Sequence, residues 1–147
     1  MTTYFHCSAL PLGNGSIILP GNWGRIIRLY HSNPSNHFIA FREYVLEKIR
    51  AIEFLSKPSR LDSCFVLKTF DEAQAYQIRN SPVGVLYEVE PVGEVQSLHE
   101  ASYDLNPEPQ SYFNHIEQAA RDYWMATKLQ SLEVVIPLPI RIIRRCT

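Results

Sequence analysis

Apolar residues recur at steps of three and four in two stretches of the chain, the spacing of a helix that buries one face. In the first stretch Phe38, Phe41, Val45, Ile49, Ile52 and Leu55 form the stripe, and Glu43, Glu47, Lys48, Arg50 and Glu53 take other faces. Pro58 is expected to stop it, because proline lacks the amide a helix needs. In the second stretch Tyr112, Ile116, Ala119 and Tyr123 share a stripe, with Ser111 as the expected cap and Glu117 four residues before Arg121. A shorter helix is expected from Asp71, where Asp71 and Glu72 place negative charge at a helix N-terminus ahead of Ala73, Ala75 and Tyr76.

Between these stretches lie short runs rich in Val, Ile, Phe and Tyr and bounded by Gly, Pro, Asn or Asp. They predict strands over 3–9, 16–19, 63–68, 84–90, 132–136 and 139–144. Pro137 and Pro139 imply a sheet edge or a tight connection between the last two. Helices and strands do not alternate regularly enough for a doubly wound sheet, so an α+β domain with a split antiparallel sheet is expected. Segments 20–37 and 97–110 read as irregular: the first holds Gly21, Asn22, Gly24, Asn33, Pro34 and Asn36, the second Asp104, Asn106, Pro107 and Pro109. Loops of that length in a small domain are usually functional.

Composition narrows the class. With 147 residues the chain fits one domain, and 46% hydrophobic with 20% charged residues is ordinary for a globular protein. A net charge of -1 marks no general affinity for nucleic acid or anionic membrane. Cys7, Cys64 and Cys146 form no CxxC pair and no even framework, which points to a reducing cytoplasm. The N-terminus has no basic region followed by an apolar stretch, and no segment is long and apolar enough to span a membrane. Five histidines, His6, His31, His37, His99 and His115, show no metal-ligand spacing, so no metal is expected, and the last four read as surface residues. Asn14 with Gly15 and Gly21 with Asn22 are turn chemistry; there is no nucleophile elbow, P-loop or dinucleotide fingerprint.

One carboxylate stands out. Glu133 lies in Leu132-Glu133-Val134-Val135-Ile136-Pro137, where alternation puts Glu133, Val135 and Pro137 on one face. Held on a sheet among apolar neighbours, it suits stabilisation of developing positive charge in a water-poor cleft. The competing reading is an edge-strand glutamate facing solvent.

Four segments, in order, resemble the NAD-dependent ADP-ribosyltransferases, especially the diphtheria-toxin-like branch with a His-Tyr-Glu triad. Tyr4-Phe5-His6-Cys7-Ser8, followed by Gly15-Ser16-Ile17-Ile18-Leu19-Pro20-Gly21, resembles the opening of rifampin-inactivating members. Cys64 to Ala73 and then Tyr76 resembles the family's strand-to-helix unit, and Val85-Leu86-Tyr87-Glu88-Val89-Glu90-Pro91 its core strand. Gln130-Ser131-Leu132-Glu133-Val134-Val135-Ile136-Pro137 resembles the segment whose Glu is catalytic. Pro58-Ser59-Arg60 and Tyr123-Trp124 are also similar to a poorly characterised bacterial branch.

The resemblance implies roles for particular side chains. His6 binds the adenosine ribose of NAD, with Ser8 beside it; Tyr76 stacks on the nicotinamide, with Phe65 eleven positions earlier as the second aromatic. Glu133 holds the nicotinamide ribose and stabilises the oxocarbenium-like transition state, a contribution of about 3–4 kcal/mol for one well-aimed group. Arg25, Arg28 and Arg60 are candidates for the pyrophosphate, and Trp23 for closing over the nicotinamide. Each also has a structural reading: a satisfied histidine, core aromatics, solvated arginines, a packed indole. Ser131 departs from the family at the position that helps choose the acceptor, and Cys7-Ser8 replaces Gly-Thr after the histidine.

An intracellular acceptor is therefore expected, RNA or DNA if Arg141, Arg144 and Arg145 on the last strand line a groove, or else a small molecule or protein. Small cytoplasmic members of this kind act as toxin or phage-defence effectors, some with a neutralising antitoxin. NAD hydrolysis alone and a non-catalytic NAD-binding or interaction module are the competing readings.

Overall fold

The structure, a computed structural model, describes residues 2–31, 34–105 and 111–147, with the side chains of 34 and 35 also outside the description. Asn33 of the first expected loop and Asn106, Pro107 and Pro109 of the second lie outside the described residues. The chain is α+β. Its elements are β1 (Tyr4–Ser8), β2 (Ile17–Ile18), α1 (Asn22–Leu29), α2 (Pro34–Glu53), a 3-10 turn (Arg60–Asp62), β3 (Cys64–Val66), α3 (Phe70–Asn80), β4 (Val85–Pro91), β5 (His99–Ser102), α4 (Tyr112–Trp124), β6 (Leu132–Ile136) and β7 (Ile140–Arg145). All pairings are antiparallel: β1-β4-β7-β2 form one sheet and β3-β6-β5 the other.

The six expected strands all form, and two expected loops are corrected. Segment 20–37 holds α1 and the start of α2, and segment 97–110 holds β5. Turn-forming Gly and Asn conceal α1, yet Gly21 sits before its first turn with φ 95° and Gly24 is where the helix comes against the chain. A Cβ on Gly24 would lie 2.1 Å from the Leu61 carbonyl oxygen, so only glycine allows α1 to pack on the turn that carries Arg60.

The first helical stripe is also corrected. In α2 the buried face is Glu43, Val45, Leu46 and Ile49, while Ile52 is exposed and Leu55 lies beyond the helix end at Glu53, well before Pro58. Phe38 and Phe41 stay exposed but meet the Tyr112 ring at 4.7 and 5.8 Å. In α4 Ile116, Ala120, Tyr123 and Trp124 are buried, and Ser111 precedes the helix without a side-chain cap. The Glu117–Arg121 pair forms at 3.9 Å, beside a closer one from Arg121 to Glu53. Helix α3 begins one residue earlier than expected because Thr69 and Glu72 build a capping box.

Among the described residues the two sheets meet at a single bridge. Phe5 and Leu67 exchange backbone hydrogen bonds of 2.8 Å in both directions, joining β1 to the end of β3. Pro137 to Pro139 cross from β6 to β7, a tight connection between sheets; β6 is the central strand of its sheet, and no edge lies there. One core packs Tyr4, Val66, Tyr87, Val89, Val134, Ile136, Ile140 and Ile142 between the sheets. A second packs α2 and α4 on Ala101 of β5, so that β6 has apolar material on both faces.

Candidate active site

A cavity of about 450 Å3 opens at the seam between the sheets. His6 reaches it from β1, Phe65 from β3, Tyr76 from α3, Glu133 from β6 and Trp23 from α1. Residues from five separate elements thus converge on one space.

Glu133 is 6% exposed, on the strand face that looks towards α2 and α4. Its register partner on β5 is Ala101, whose small side chain leaves room for a carboxylate, and the solvent-facing reading of Glu133 is set aside. Oε1 accepts from the Arg60 guanidinium in a very short contact and from the Tyr123 hydroxyl at 3.0 Å. Among the described residues both of its hydrogen bonds fall on Oε1, which leaves Oε2 for whatever enters the cleft.

Arg60 is the hub beneath that carboxylate. It donates to both oxygens of Glu43 at 3.0 Å, to the Tyr123 hydroxyl at 2.8 Å and to Glu133. Its guanidinium lies 4.8 Å from the Phe65 ring centre and 5.0 Å from that of Tyr123. Burial alone would favour a neutral guanidine; the charges of Glu133 and Glu43 outweigh it and hold Arg60 charged. For Glu43, burial pushes the carboxyl up, but the charge and hydrogen bonds of Arg60, with Arg42 and Trp23 nearby, bring it below its ordinary range. Among the described residues the Trp23 indole nitrogen nevertheless has no partner in hydrogen-bond geometry. Burial raises the Tyr123 hydroxyl well above its usual value, the Arg60 charge opposing, so it stays a donor.

The turn that presents Arg60 is itself tied down. Arg50 of α2 pairs with Glu47 and donates to the Lys57 carbonyl at 3.1 Å; the Ser59 hydroxyl donates to Glu47 at 2.8 Å. The Ser59 hydroxyl also accepts from the Leu61 amide, and its carbonyl from the Ser63 hydroxyl. Four of its five N–H donors are engaged inwards, so Arg60, which also lines the cavity, acts first on Glu133 and keeps one N–H for the pyrophosphate role expected for it.

His6 is placed by the sheet bridge. Its Nδ1 is 2.8 Å from the Phe65 carbonyl, which can only accept, so Nδ1 carries the proton and Nε2 keeps a lone pair. Burial lowers its pKa, the carbonyl contact partly opposing, and the ring is neutral at pH 7. The site therefore offers a neutral acceptor at His6 and an anionic one at Glu133.

Tyr76 lies with its ring edge-on to Tyr103, 5.1 Å between centres, and burial and the Glu133 charge push its hydroxyl pKa up. Phe65 is committed as a shelf for Arg60, so Tyr103 is the aromatic neighbour of Tyr76. Ser8 does not line the cavity; its hydroxyl accepts from the Leu10 amide. Arg25 and Arg28 are exposed and outside it, Arg25 bonded to Asn22. Ser131 adopts φ 55° and accepts from the Tyr103 amide, tying the entry of β6 to a cleft residue. Arg141 and Arg144 pair with Glu90 and Glu88 across β4. His31, His37 and His115 are exposed, but His99 is buried at 2%, donating from Nε2 to the Tyr123 carbonyl, and is no surface residue.

Glu43 and Tyr123 are the site residues sequence reading missed. The available signal was Ile39, Glu43 and Leu46 at i, i+4 and i+7, a carboxylate inside an apolar helical row.

Residues 23–147 match the model of a family described as a protein of unknown function (DUF2441). The chain belongs to that family. The matched segment includes Glu43, Arg60, Tyr76, Tyr123 and Glu133, and His6 lies before it. No curated protein matches the chain.

Proposed function

We propose that this chain is an NAD-dependent ADP-ribosyltransferase with an ADP-ribosyltransferase-like fold, cleaving NAD at the nicotinamide–ribose bond and passing ADP-ribose to an acceptor. The observation that carries the reading is the convergence of His6, Tyr76 and Glu133 on one cleft, with Glu133 anchored through one oxygen and free at the other. The cavity volume lies in the range of about 300–1,000 Å3 found for small-molecule sites.

The chemistry follows from the side chains. As the glycosidic bond breaks, positive charge develops on the ribose and nicotinamide leaves neutral. Glu133 Oε2 accepts a hydrogen bond from a ribose hydroxyl and faces that charge at fixed distance, an interaction stronger in the transition state than with bound NAD. His6 Nε2 accepts from a hydroxyl of the other ribose, and Tyr76 covers the nicotinamide.

The test is nicotinamide release from labelled NAD, alone and with cellular RNA, DNA and protein. Wild type is expected to release nicotinamide, and Glu133→Gln to lose about 10²–10³-fold in rate, the effect of removing one transition-state-stabilising group. Release by neither protein, with no label on any fraction, sinks the reading. The labelled fraction identifies the acceptor, and release without label means hydrolysis. The nucleic-acid acceptor has weaker support than its arginines suggested, since Arg141 and Arg144 are already paired with carboxylates. A cytoplasmic effector restrained by an antitoxin belongs to the same proposal.

A further inference from the structure

Glu133 is not the only carboxylate under the cleft. Glu43 of α2 is 1% exposed, and both of its oxygens are held by Arg60, whose guanidinium also holds Glu133. Two carboxylates share one buried cation, Arg42 adds a second cation 3.5 Å from Glu43 Oε1, and Tyr123, kept protonated by burial, adds a donor and no charge. The formal sum is zero, from two glutamates and two arginines. Without Glu43 the same cluster would carry a net positive charge from Arg42 and Arg60 against Glu133 alone, and that charge would oppose the electrostatic role of Glu133.

We propose that Glu43 is a positioning residue for the reaction at Glu133: by holding and neutralising Arg60 it fixes Glu133 through Oε1 and keeps the cluster from turning cationic where Oε2 meets the cleft. This rests on the NAD reading, with the ligand in the cleft developing positive charge beside Oε2. Glu43 itself does not line the cavity, so its action runs through Arg60. The turn carrying Arg60 is clamped separately by Glu47 and Arg50, so removing the Glu43 charge leaves the backbone support in place.

The experiment compares wild type, Glu43→Gln and Glu43→Asp in nicotinamide release from NAD, alongside the Glu133 side-chain carboxyl resonance in 13C-labelled protein. Glu43→Gln is expected to lower kcat about 30-fold or more with KM for NAD within threefold, a split that follows when charge acts in the transition state. Glu43→Asp, which keeps the charge on a shorter stem, is expected to recover at least fivefold of that loss. The Glu133 resonance is expected to move in the glutamine variant and to return towards wild type in the aspartate variant. A folded Glu43→Gln with wild-type kcat, or one whose loss is entirely in KM and is not recovered by aspartate, overturns the proposal. If the glutamine variant does not fold, Glu43→Asp decides: kcat lowered several-fold at unchanged KM supports it, and wild-type kcat overturns it. If wild type releases no nicotinamide, the function proposed above has failed, and the Glu133 resonance alone then decides whether Glu43 positions it.

Discussion

The protein holds arginine against glutamate in two contrasting settings. On β7, Arg141 and Arg144 meet Glu90 and Glu88 across the sheet at 3.0 and 2.6 Å, with arginine side chains 45% and 69% exposed. Beneath the cleft, Arg60 meets Glu43 and Glu133 with every partner under 10% exposed. Pair distances do not separate the two groups; the surroundings do. In water each surface partner has an alternative, so exposed pairs are typically worth about 0–1 kcal/mol. A buried carboxylate has none, and one left there without its cation would carry the full cost of its burial. The surface pairs decorate a strand, and the buried cluster fixes a functional group.

Removing Arg60 breaks that contrast most directly. Arg60→Ala strands two buried carboxylates and the Tyr123 hydroxyl, and a loss of about 3–5 kcal/mol is expected, as for other buried pairs broken on one side. Chemical denaturation at pH 7 measures it. The deficit is expected to shrink as pH is lowered, because protonation relieves the carboxylates Arg60 had been neutralising. A deficit below about 1 kcal/mol would place the cluster with the surface pairs.

The pH dependence of the wild type sharpens the same point. The folded pKa of Glu43 lies below its ordinary 4.5, so its contribution is full above that pH and lost as the pH falls through the folded value. His6 and His99 have folded values below 6.5, lowered by burial, so the unfolded chain takes up their protons first. Stability is therefore expected to be level above about pH 6.5, to decline below it as the histidines titrate, and to fall further below about 4.5. Thermal melts across pH 3–8 check both steps, and His99→Gln is expected to weaken the upper one. A stability that rises between pH 6.5 and 5 would contradict the buried placement of both rings.

How much of this was legible depends on which side chains follow the pattern of their own element. Glu133 was conspicuous because period-two alternation makes a carboxylate in an apolar strand an exception. Arg60 was visible as chemistry, but its direction was not: nothing in Pro58-Ser59-Arg60 says that its donors turn inwards. Glu43 was passed over because a helical stripe drawn through Phe38, Phe41 and Val45 hides the row of Ile39, Glu43 and Leu46 beside it. The observed helix is rotated from that, burying Glu43 and Leu46 together and leaving Ile52 in solvent. Strand β5 was missed because His-Glu-Ala-Ser carries no β-branched residue; pairing with β6 imposes its conformation. The α+β class survived these errors because the other strands carry Val, Ile and Tyr at their own positions.

Backbone placement supplies a finer probe. Gly24 lets α1 lie against the Leu61 carbonyl, one residue from the arginine that organises the site. Gly24→Ala is expected to cost about 1–3 kcal/mol through overpacking, less than removing Arg60, even though alanine is the better helix former. If the turn moves with the helix, nicotinamide release should fall as well, which separates a shifted site from simple loss of stability. Unchanged or raised stability would show that α1 moves away freely.

The smallest effect belongs to the surface strand. Arg141→Gln leaves Glu90 partly exposed to water, and the expected change in stability is within about 0.5 kcal/mol. A double-mutant cycle with Glu90→Gln isolates the pair from each residue's other contacts. The coupling should weaken further in 1 M salt, where the screening length is about 3 Å. The corresponding Glu43–Arg60 cycle should change little with salt, because solvent ions cannot enter between groups this deeply covered. Equal salt sensitivity in the two cycles would mean that the cleft floor is open to water, and the case for Glu43 acting through Arg60 would lose its electrostatic basis.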